Sequence, residues 1–201
     1  LIKRISDIVF SLIILVVFSP ILILVAVLIK VYDGGPIFYK QERLTYDHKV
    51  FMIYKFRSMK TDAEKDGVAR LAGEHDDRIT PVGRVIRKVR IDELPQLLNI
   101  LKGDMSIVGP RPERPELASE NEKIMPEFRY RLKVKAGLTG YAQVLGKYNT
   151  TPYDKLRLDL MYIEQYSLLL DIKLILMTIK ILFIPESTEG VKDDNSSGTA
   201  L

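Results

Sequence analysis

Residues 1–30 form an apolar run, and this run is the strongest constraint on how the chain can fold. It opens with Lys3 and Arg4, ends at Lys30, and is longer than the about 20 apolar residues that cross a bilayer. Ser19 and Pro20 stand in its middle. Because proline removes a backbone donor and bends a helix, we expect a break there, with the Ser19 hydroxyl bonding a freed carbonyl.

Two topologies fit this segment. Composition alone favours an ordinary transmembrane helix. Basic residues flank both ends, however, so the excess of positive charge sets no clear orientation. A helix that enters the membrane, breaks at Ser19-Pro20 and returns keeps both ends on one face. We expect this re-entrant helix-break-helix over residues 1–30.

A β-hairpin is predicted after the apolar run. Residues 37–41 and 50–56 are rich in aromatic and branched side chains, and residues 45–48 between them are typical of a connection. Lys55 and Arg57 alternate with aromatic residues, so both cations lie on one face. That face is either merely solvated or in contact with a phosphate.

Two carboxylates, Asp92 and Glu93, open a predicted helix within residues 90–103. Asp92 is a typical N-cap, and Gly103 is a plausible residue just past the C-terminus. The leucines whose helical spacing predicts one apolar face are Leu94, Leu97, Leu98 and Leu101. The positive end of a helix favours ionised carboxylates and also a bound phosphate, so Asp92 is either a cap or a reactive group.

Cations bracket this pair of carboxylates. Upstream, Arg87 belongs to a basic helix that begins near Thr80. Downstream, Arg111 stands between Pro110 and Pro112, which stiffen its backbone. Arginine is preferred where a phosphate is gripped by a planar fork. By themselves these features also fit a solvated helix face and a simple turn. Together they favour a site for a phosphate ester and a divalent metal.

The order of these motifs resembles a known family. Residues 92–99 (Asp-Glu-Leu-Pro-Gln-Leu-Leu-Asn), 102–106 (Lys-Gly-Asp-Met-Ser) and 108–112 (Val-Gly-Pro-Arg-Pro) are similar to the signature of bacterial monotopic phosphoglycosyl transferases. These enzymes begin polysaccharide and glycoprotein glycan assembly on a polyprenyl phosphate. The resemblance runs from the apolar N-terminus to residue 184 and includes the Ser-Pro pair of a re-entrant helix.

The resemblance implies a reaction and a set of roles. A sugar 1-phosphate would pass from a UDP-sugar to polyprenyl (undecaprenyl) phosphate, with release of UMP. Asp92 would be the nucleophile that carries a covalent phosphosugar, and Glu93 beside it would bind Mg²⁺ with Asp92. The substrate-binding residues that it implies are Lys55, Arg57, Arg87, Arg111, Asp159 and Asp171. From periodicity alone, Asp159 and Asp171 would be surface acids.

Composition excludes several other chemistries. The chain has no cysteine, hence no disulfide, thiolate nucleophile or cysteine metal site, and its two histidines make a histidine-rich metal site improbable. A net charge of +4 suits anionic lipid or phosphate substrates, with nucleic acid as a rival on charge alone. The resemblance implies no nucleic acid, and implies phospholipid contact at the cytoplasmic face of the bacterial inner membrane, with a homodimer left open.

We therefore expect a mixed α/β, predominantly helical fold. Its parts are the re-entrant helix at 1–30, a catalytic domain at 31–185 and a disordered tail at 186–201. Residues 61–73 should form a surface helix. Residues 168–184 should form an interfacial helix whose lysines snorkel, because charges inside that run make a poor membrane span.

Two rival functions remain open at this point. A non-catalytic, membrane-bound module could use its basic face on anionic lipid, and it would not need Asp92 and Glu93. A membrane nucleotidyl or phosphatidyl transferase usually needs more acidic metal ligands at fixed spacing, and the chain lacks that cluster.

Overall fold

The computed structural model describes residues 1–63, 76–146 and 150–182. Most of the predicted helix at 61–73 and the whole predicted tail at 186–201 lie outside these ranges. The elements are α1 (Ile2–Asp33), β1 (Phe38–Leu44), β2 (Val50–Phe56), α2 (Pro81–Lys88), α3 (Gln96–Lys102), β3 (Met105–Val108), α4 (Pro115–Ile124), β4 (Ala136–Thr139), α5 (Tyr141–Leu145), α6 (Pro152–Glu164) and α7 (Leu168–Leu182). The predicted mixed α/β, mainly helical class is confirmed.

The predicted hairpin is present and pairs in a regular antiparallel register. Phe38 lies opposite Phe56 at one end, and Leu44 lies opposite Val50 at the other. β1 continues three residues beyond the predicted end at position 41. A 3-10 turn, Tyr46–His48, closes the connection. The hairpin therefore presents one face towards the rest of the domain, and Phe51 on that face is buried.

A second sheet consists of the two short parallel strands β3 and β4, and it lies in the core. All four residues of β3 are buried. The crossover between the strands contains α4 and a 3-10 helix, Pro126–Lys133. At the end of the sheet, the backbones of Gly109 and Gly137 approach so closely that a Cβ on Gly137 would lie 2.1 Å from the Gly109 nitrogen. Position 137 therefore needs glycine. This close approach sets where residues 110–112, which follow Gly109, leave the sheet.

α1 is helical on both sides of Pro20. The Ser19 hydroxyl donates to the Val16 carbonyl at 2.8 Å. That carbonyl is the one Pro20, which has no N–H, leaves without its usual partner. The predicted serine bond is confirmed, whereas the re-entrant course of the segment stays a prediction.

The outer surface of α1 is apolar, and its polar residues face inward. Val16 and Ile23 are 71% and 65% exposed, whereas Asp7 and Ser11 are 5% and 0% exposed. A helix that buries its polar groups and exposes its apolar ones is arranged for lipid. By length and composition, α1 is the one helix in the described ranges that can cross a membrane.

The amino-terminal turns of α1 are bonded to the domain through polar groups. Lys3 Nζ lies 2.6 Å from Asp171 Oδ2 of α7. The Arg4 guanidinium donates to the Ile100 carbonyl, at the C-terminal end of α3. Asp7 Oδ1 accepts from the backbone N–H of Ile107 in β3 at 3.0 Å. α1 is thus attached directly to the helix that follows the Asp92-Glu93 pair.

The other end of α1 is attached independently. Val25 and Ile29 pack in a small apolar cluster with Phe56 and Ile86. The Arg57 guanidinium then forms a two-point pair with the Asp33 carboxylate. One domain therefore holds both the first and the last turns of the same apolar helix.

α7 exposes an apolar face beside two lysines. Leu169 and Leu176 are 79% and 62% exposed, while Leu174 on the opposite side is fully buried. Lys173 and Lys180 border the exposed side. This amphipathic pattern fits the predicted interfacial helix, and the helix begins at Leu168 as expected.

Candidate active site

Glu93 is held by two cations on a single oxygen. Its Oε1 lies 2.8 Å from Lys55 Nζ and 2.7 Å from an Arg111 guanidinium nitrogen. Burial would raise the pKa of Glu93, but Arg111 and Lys55 outweigh it and hold that pKa well below its usual range. Glu93 is therefore a fixed carboxylate that positions both phosphate-binding candidates.

Asp92, one residue earlier, is in a different environment. Among the described residues its carboxylate accepts no hydrogen bond, and it is half-buried. Burial and then the charge of Glu93 raise the pKa of Asp92 to about 6, against the opposing pull of Lys55, Arg87 and Arg111. Two adjacent carboxylates thus have opposite shifts, which is a common mark of groups with different roles.

The backbone around the pair corrects the cap prediction for Asp92. α3 begins only at Gln96, with Pro95 before it, and no side chain caps it. Asp92 lies instead in a 3-10 turn, Ile91–Glu93. Arg90, with φ 55°, turns the chain sharply between α2 and this turn. Since Asp92 is not bonded to the helix backbone, its carboxylate remains available.

The predicted leucine face of α3 was partly wrong. Leu97 is fully buried, but Leu98 is 38% exposed, and Asn99 takes an interior position with 0% exposure. Asn99 donates to the Met52 carbonyl at 2.8 Å and accepts from the Tyr54 N–H at 2.9 Å. This amide joins α3 to β2, and hence keeps Lys55 beside Glu93.

Arg111 reaches the site from a supported backbone. Its side chain is 46% exposed, and its carbonyl accepts from Arg131 at 3.0 Å. Arg131 is buried and pairs through Nε with Asp159 Oδ2 at 2.6 Å. The buried Arg131–Asp159 pair therefore fixes the position of the backbone that carries Arg111.

Asp159, expected to contact substrate, is paired inside the domain in this structure. It is 1% exposed and is occupied by Arg131. Its influence on Arg111 is indirect, through the Arg131 bond to the Arg111 carbonyl. This position supports the site from inside the domain.

Two other expected substrate ligands are paired within the domain. Arg57 is 6% exposed and is taken by Asp33 and by the Pro36 carbonyl at 2.7 Å. Asp171 accepts from Lys3 and from the Tyr162 hydroxyl at 2.8 Å. Both residues hold the ends of α1 in this structure, and their contact with substrate stays a prediction. Arg87 remains close enough to lower the pKa of Asp92.

The donor atoms near Asp92 fit a magnesium ion that a diphosphate helps to bind. In the described part of the chain, no group of three or more histidine, cysteine or acidic side chains is placed for a metal. Mg²⁺ commonly uses one or two carboxylates and completes its shell with water and substrate phosphates. Lys55 and Arg111 both bond Glu93 Oε1, so Glu93 Oε2 and the Asp92 carboxylate are the available oxygens.

The roles of Arg131, Asn99 and the residues that anchor α1 were not predicted from the sequence. Asn99 gave no signal, since it lies off the predicted leucine face of α3. Arg131 gave none, because its partner Asp159 is 28 residues away.

The chain is similar to a known protein family along most of its length. The family model of the bacterial sugar transferases matches residues 1–185. The Aeromonas hydrophila UDP-N-acetylgalactosamine-undecaprenyl-phosphate N-acetylgalactosaminephosphotransferase is 43% identical over 182 residues, which are 89% of this chain and 43% of that protein. The undecaprenyl-phosphate glucose phosphotransferase of Komagataeibacter xylinus is 42% identical over 186 residues, 89% of this chain and 35% of that protein.

A shorter relative matches along nearly its whole length. The exopolysaccharide production protein PSS of Rhizobium leguminosarum bv. phaseoli is 38% identical over 197 residues, which are 94% of this chain and 96% of that protein. The chain thus spans less than half the length of the first two relatives and almost all of the third.

Proposed function

This chain belongs to the bacterial sugar transferase family, and we propose that it transfers a sugar 1-phosphate from a UDP-sugar to undecaprenyl phosphate, releasing UMP. The observation that carries the proposal is the contrast between the two neighbouring carboxylates. Glu93 is fixed by Lys55 and Arg111, while Asp92 is desolvated and accepts no hydrogen bond from a described residue. A nucleophile needs that freedom, and a phosphate needs those cations.

Asp92 acts first. Its carboxylate oxygen attacks the β-phosphorus of the UDP-sugar, and a new phosphorus–oxygen bond forms. The bond from that phosphorus to the bridging oxygen breaks, and its electron pair leaves with UMP. The product is an acyl phosphate that carries the sugar on Asp92.

Undecaprenyl phosphate acts second. One of its phosphate oxygens attacks the same phosphorus. The bond between that phosphorus and the Asp92 carboxylate oxygen breaks, and its electron pair restores the Asp92 carboxylate. The lipid leaves as a sugar-bearing diphosphate. Arg111, Lys55 and Arg87 balance the phosphate charge in both steps.

The oxygens of Asp92 and Glu93 would hold Mg²⁺ together with the diphosphate, and the ion would neutralise phosphate charge as a Lewis acid. The protein residues do the remaining work. Glu93 keeps Lys55 and Arg111 in place, and the buried Arg131–Asp159 pair supports the Arg111 backbone.

We also propose that α1 is re-entrant, with both ends at the cytoplasmic face. A straight helix of 32 residues would be about 48 Å long, more than the about 30 Å of bilayer hydrocarbon. Yet Lys3 and Asp33, near its two ends, each form an ion pair with the same domain. A helix that bends at Pro20 satisfies both attachments and places Asp92 where lipid phosphates lie.

Single cysteines test this topology, since the chain has none of its own. A membrane-impermeant maleimide should label Ile2→Cys and Val31→Cys only from the cytoplasmic side in oriented vesicles. Pro20→Leu should shift Val31→Cys towards periplasmic labelling, because it restores a straight helix. Periplasmic labelling of Val31→Cys in the otherwise native chain would contradict the re-entrant course.

The pH dependence of the first step should follow Asp92. The raised pKa, about 6, leaves the carboxyl protonated and unreactive below that pH and ionised above it. Without lipid, UMP release per enzyme at low UDP-sugar should therefore fall about tenfold per pH unit below 6 and level off above 7. Omitting the lipid removes its own titrating phosphate. A rate independent of pH between 5 and 7 would contradict the assignment.

Product analysis tests the proposed reaction as a whole. Purified chain in nanodiscs, a panel of UDP-sugars, undecaprenyl phosphate and Mg²⁺ should yield UMP and a lipid-linked sugar diphosphate in equal amounts. Production of UDP in place of UMP would indicate glycosyl transfer. Binding to anionic vesicles with no product from any sugar, under conditions in which a relative is active, would favour the non-catalytic lipid-binding module.

A further inference from the structure

Strand β1 carries a third cation, Arg43, in addition to Lys55 and Arg111 at the site. The Leu44 N–H donates to the Glu113 carbonyl at 2.9 Å, so the end of β1 is joined to the segment that follows Arg111. The register of the hairpin puts Arg43 on the same face as Lys55. Arg43, Arg111 and Arg114 are near enough to one another that the charges of the other two act on Arg43. We call these three residues the arginine cluster.

Arg43 is incompletely paired within the described residues. One terminal nitrogen donates to Gln41 Oε1 at 2.6 Å, but its Nε is buried and has no partner there. Burial, and then the charges of Arg114 and Arg111, lower the pKa of Arg43 to about 10. A buried donor without an acceptor costs folding free energy, and an anion supplies the missing acceptor.

The carboxylate of Glu113 does not supply the acceptor that Arg43 lacks. Glu113 attracts Arg43, but its Oε1 is shared between Arg131 at 3.7 Å and Lys155 at 3.9 Å. Within the described residues, Arg43 therefore has no carboxylate dedicated to it, although it lies close to the charges of Arg111 and Arg114. The two phosphates of a diphosphate share one oxygen, so a second phosphate subsite must lie next to the first.

We propose that Arg43, with Arg111 and Arg114, binds the nucleotide phosphate that departs when Asp92 takes the phosphosugar. This inference rests on the proposed function and adds a leaving-group subsite to it. Arginine suits the role because its fork matches a phosphate and its charge favours the dianion that forms as the bond breaks.

The surroundings favour a nucleotide over a lipid phosphate. On the hairpin face that carries Arg43, the neighbours at alternate positions of β1 are Gln41 and Tyr39. The apolar residues on the same face of β2, Phe51 and Ile53, are buried and offer no apolar surface to a ligand. A polyprenyl chain needs apolar surface. Tyr39 is 37% exposed and offers a ring on which a base can stack.

Calorimetry with UMP as the probe, on the full chain in nanodiscs, tests the proposal. Arg43→Gln should raise the Kd for UMP roughly tenfold or more, and Arg43→Lys should weaken binding less. The matched control is Lys40→Gln. Lys40 lies on the opposite face of the same strand, with its Nζ 5.5 Å from the centre of the Tyr54 ring, and its loss should leave the Kd unchanged.

The two half-reactions separate this role from a general defect. Arg43→Gln should slow formation of the phosphosugar adduct at low UDP-sugar. Once UMP has been removed by desalting, transfer from the preformed adduct to undecaprenyl phosphate should proceed at the wild-type rate. If Arg43→Gln misfolds, it will lose both steps. The same two rates are then measured for Arg43→Lys.

Two results would overturn the proposal, and a third would separate it from the proposed reaction on which it rests. An unchanged Kd for UMP in both variants overturns the subsite. An unchanged Kd with slower transfer to lipid assigns the cluster to the lipid phosphate and also overturns it. If wild-type protein binds UMP through Arg43 but forms no adduct, the nucleotide-phosphate site stands and the proposed reaction fails.

Discussion

Asp92→Asn should abolish turnover while the protein remains folded. Asparagine has nearly the same shape, but its amide cannot form an acyl phosphate, so activity should fall by at least about 10⁴-fold. Lipid-linked product and UMP release are the measurements. Glu93→Gln is the matched control, since it changes the adjacent carboxylate in the same way. It should lower the rate and weaken the dependence on Mg²⁺, yet still allow the adduct to form.

Stability distinguishes this loss from unfolding. The pKa of Asp92 is raised in the folded protein from its ordinary 3.8 to about 6, so the folded state disfavours the charge. This cost is absent below pH 3.8, grows as pH rises towards 6 and is complete above it. Asp92→Asn should therefore melt at the same temperature as wild type or higher at pH 7.5, and the gap should narrow near pH 5. An inactive variant that melts lower at pH 7.5 would contradict this account.

Arg111→Lys should cripple the enzyme although it keeps the positive charge. The Arg111 fork reaches Glu93 at 2.7 Å from a backbone that Arg131 supports, and an ammonium cannot contact a carboxylate and a phosphate in the same geometry. Loss of one such donor typically costs about 10²–10³ in kcat. Steady-state kinetics with the preferred UDP-sugar measure this loss.

A second arginine provides the control for Arg111. Arg129 is exposed on the 3-10 helix and lies over the Tyr130 ring, away from Glu93. Arg129→Lys should leave kcat and KM unchanged. Full activity in Arg111→Lys would instead make Arg111 a simple turn residue between its two prolines.

Local patterns in the sequence predicted the elements well. Alternation of side chains predicted the hairpin, and the end of β2 matched to the residue. The proline-flanked Arg111 and the Asp92-Glu93 pair were expected at one site, and the structure brings Arg111, Lys55 and Glu93 into contact. These features depend on neighbours along the chain, which a single sequence displays.

Partners that are distant along the chain could not be predicted in the same way. Asp171 meets Lys3 across 168 residues, and Arg57 meets Asp33 across 24. A charged side chain looks the same in a sequence whether it pairs inside the domain or faces a substrate. The family resemblance predicts Arg57, Asp159 and Asp171 at the substrate. Their partners inside the domain, through which they hold α1 and the Arg111 segment, were not predictable from the sequence.

The most direct test of the central claim is the intact mass of the wild-type protein after incubation with its UDP-sugar and Mg²⁺ in the absence of lipid. The product assay first identifies a sugar that supports turnover. We predict a mass increase of one phosphosugar, mapped to Asp92, together with a burst of about one equivalent of UMP, and neither in Asp92→Asn. Rapid turnover when lipid is present, with no adduct and no burst when lipid is absent, would contradict the account and favour direct attack by the lipid phosphate.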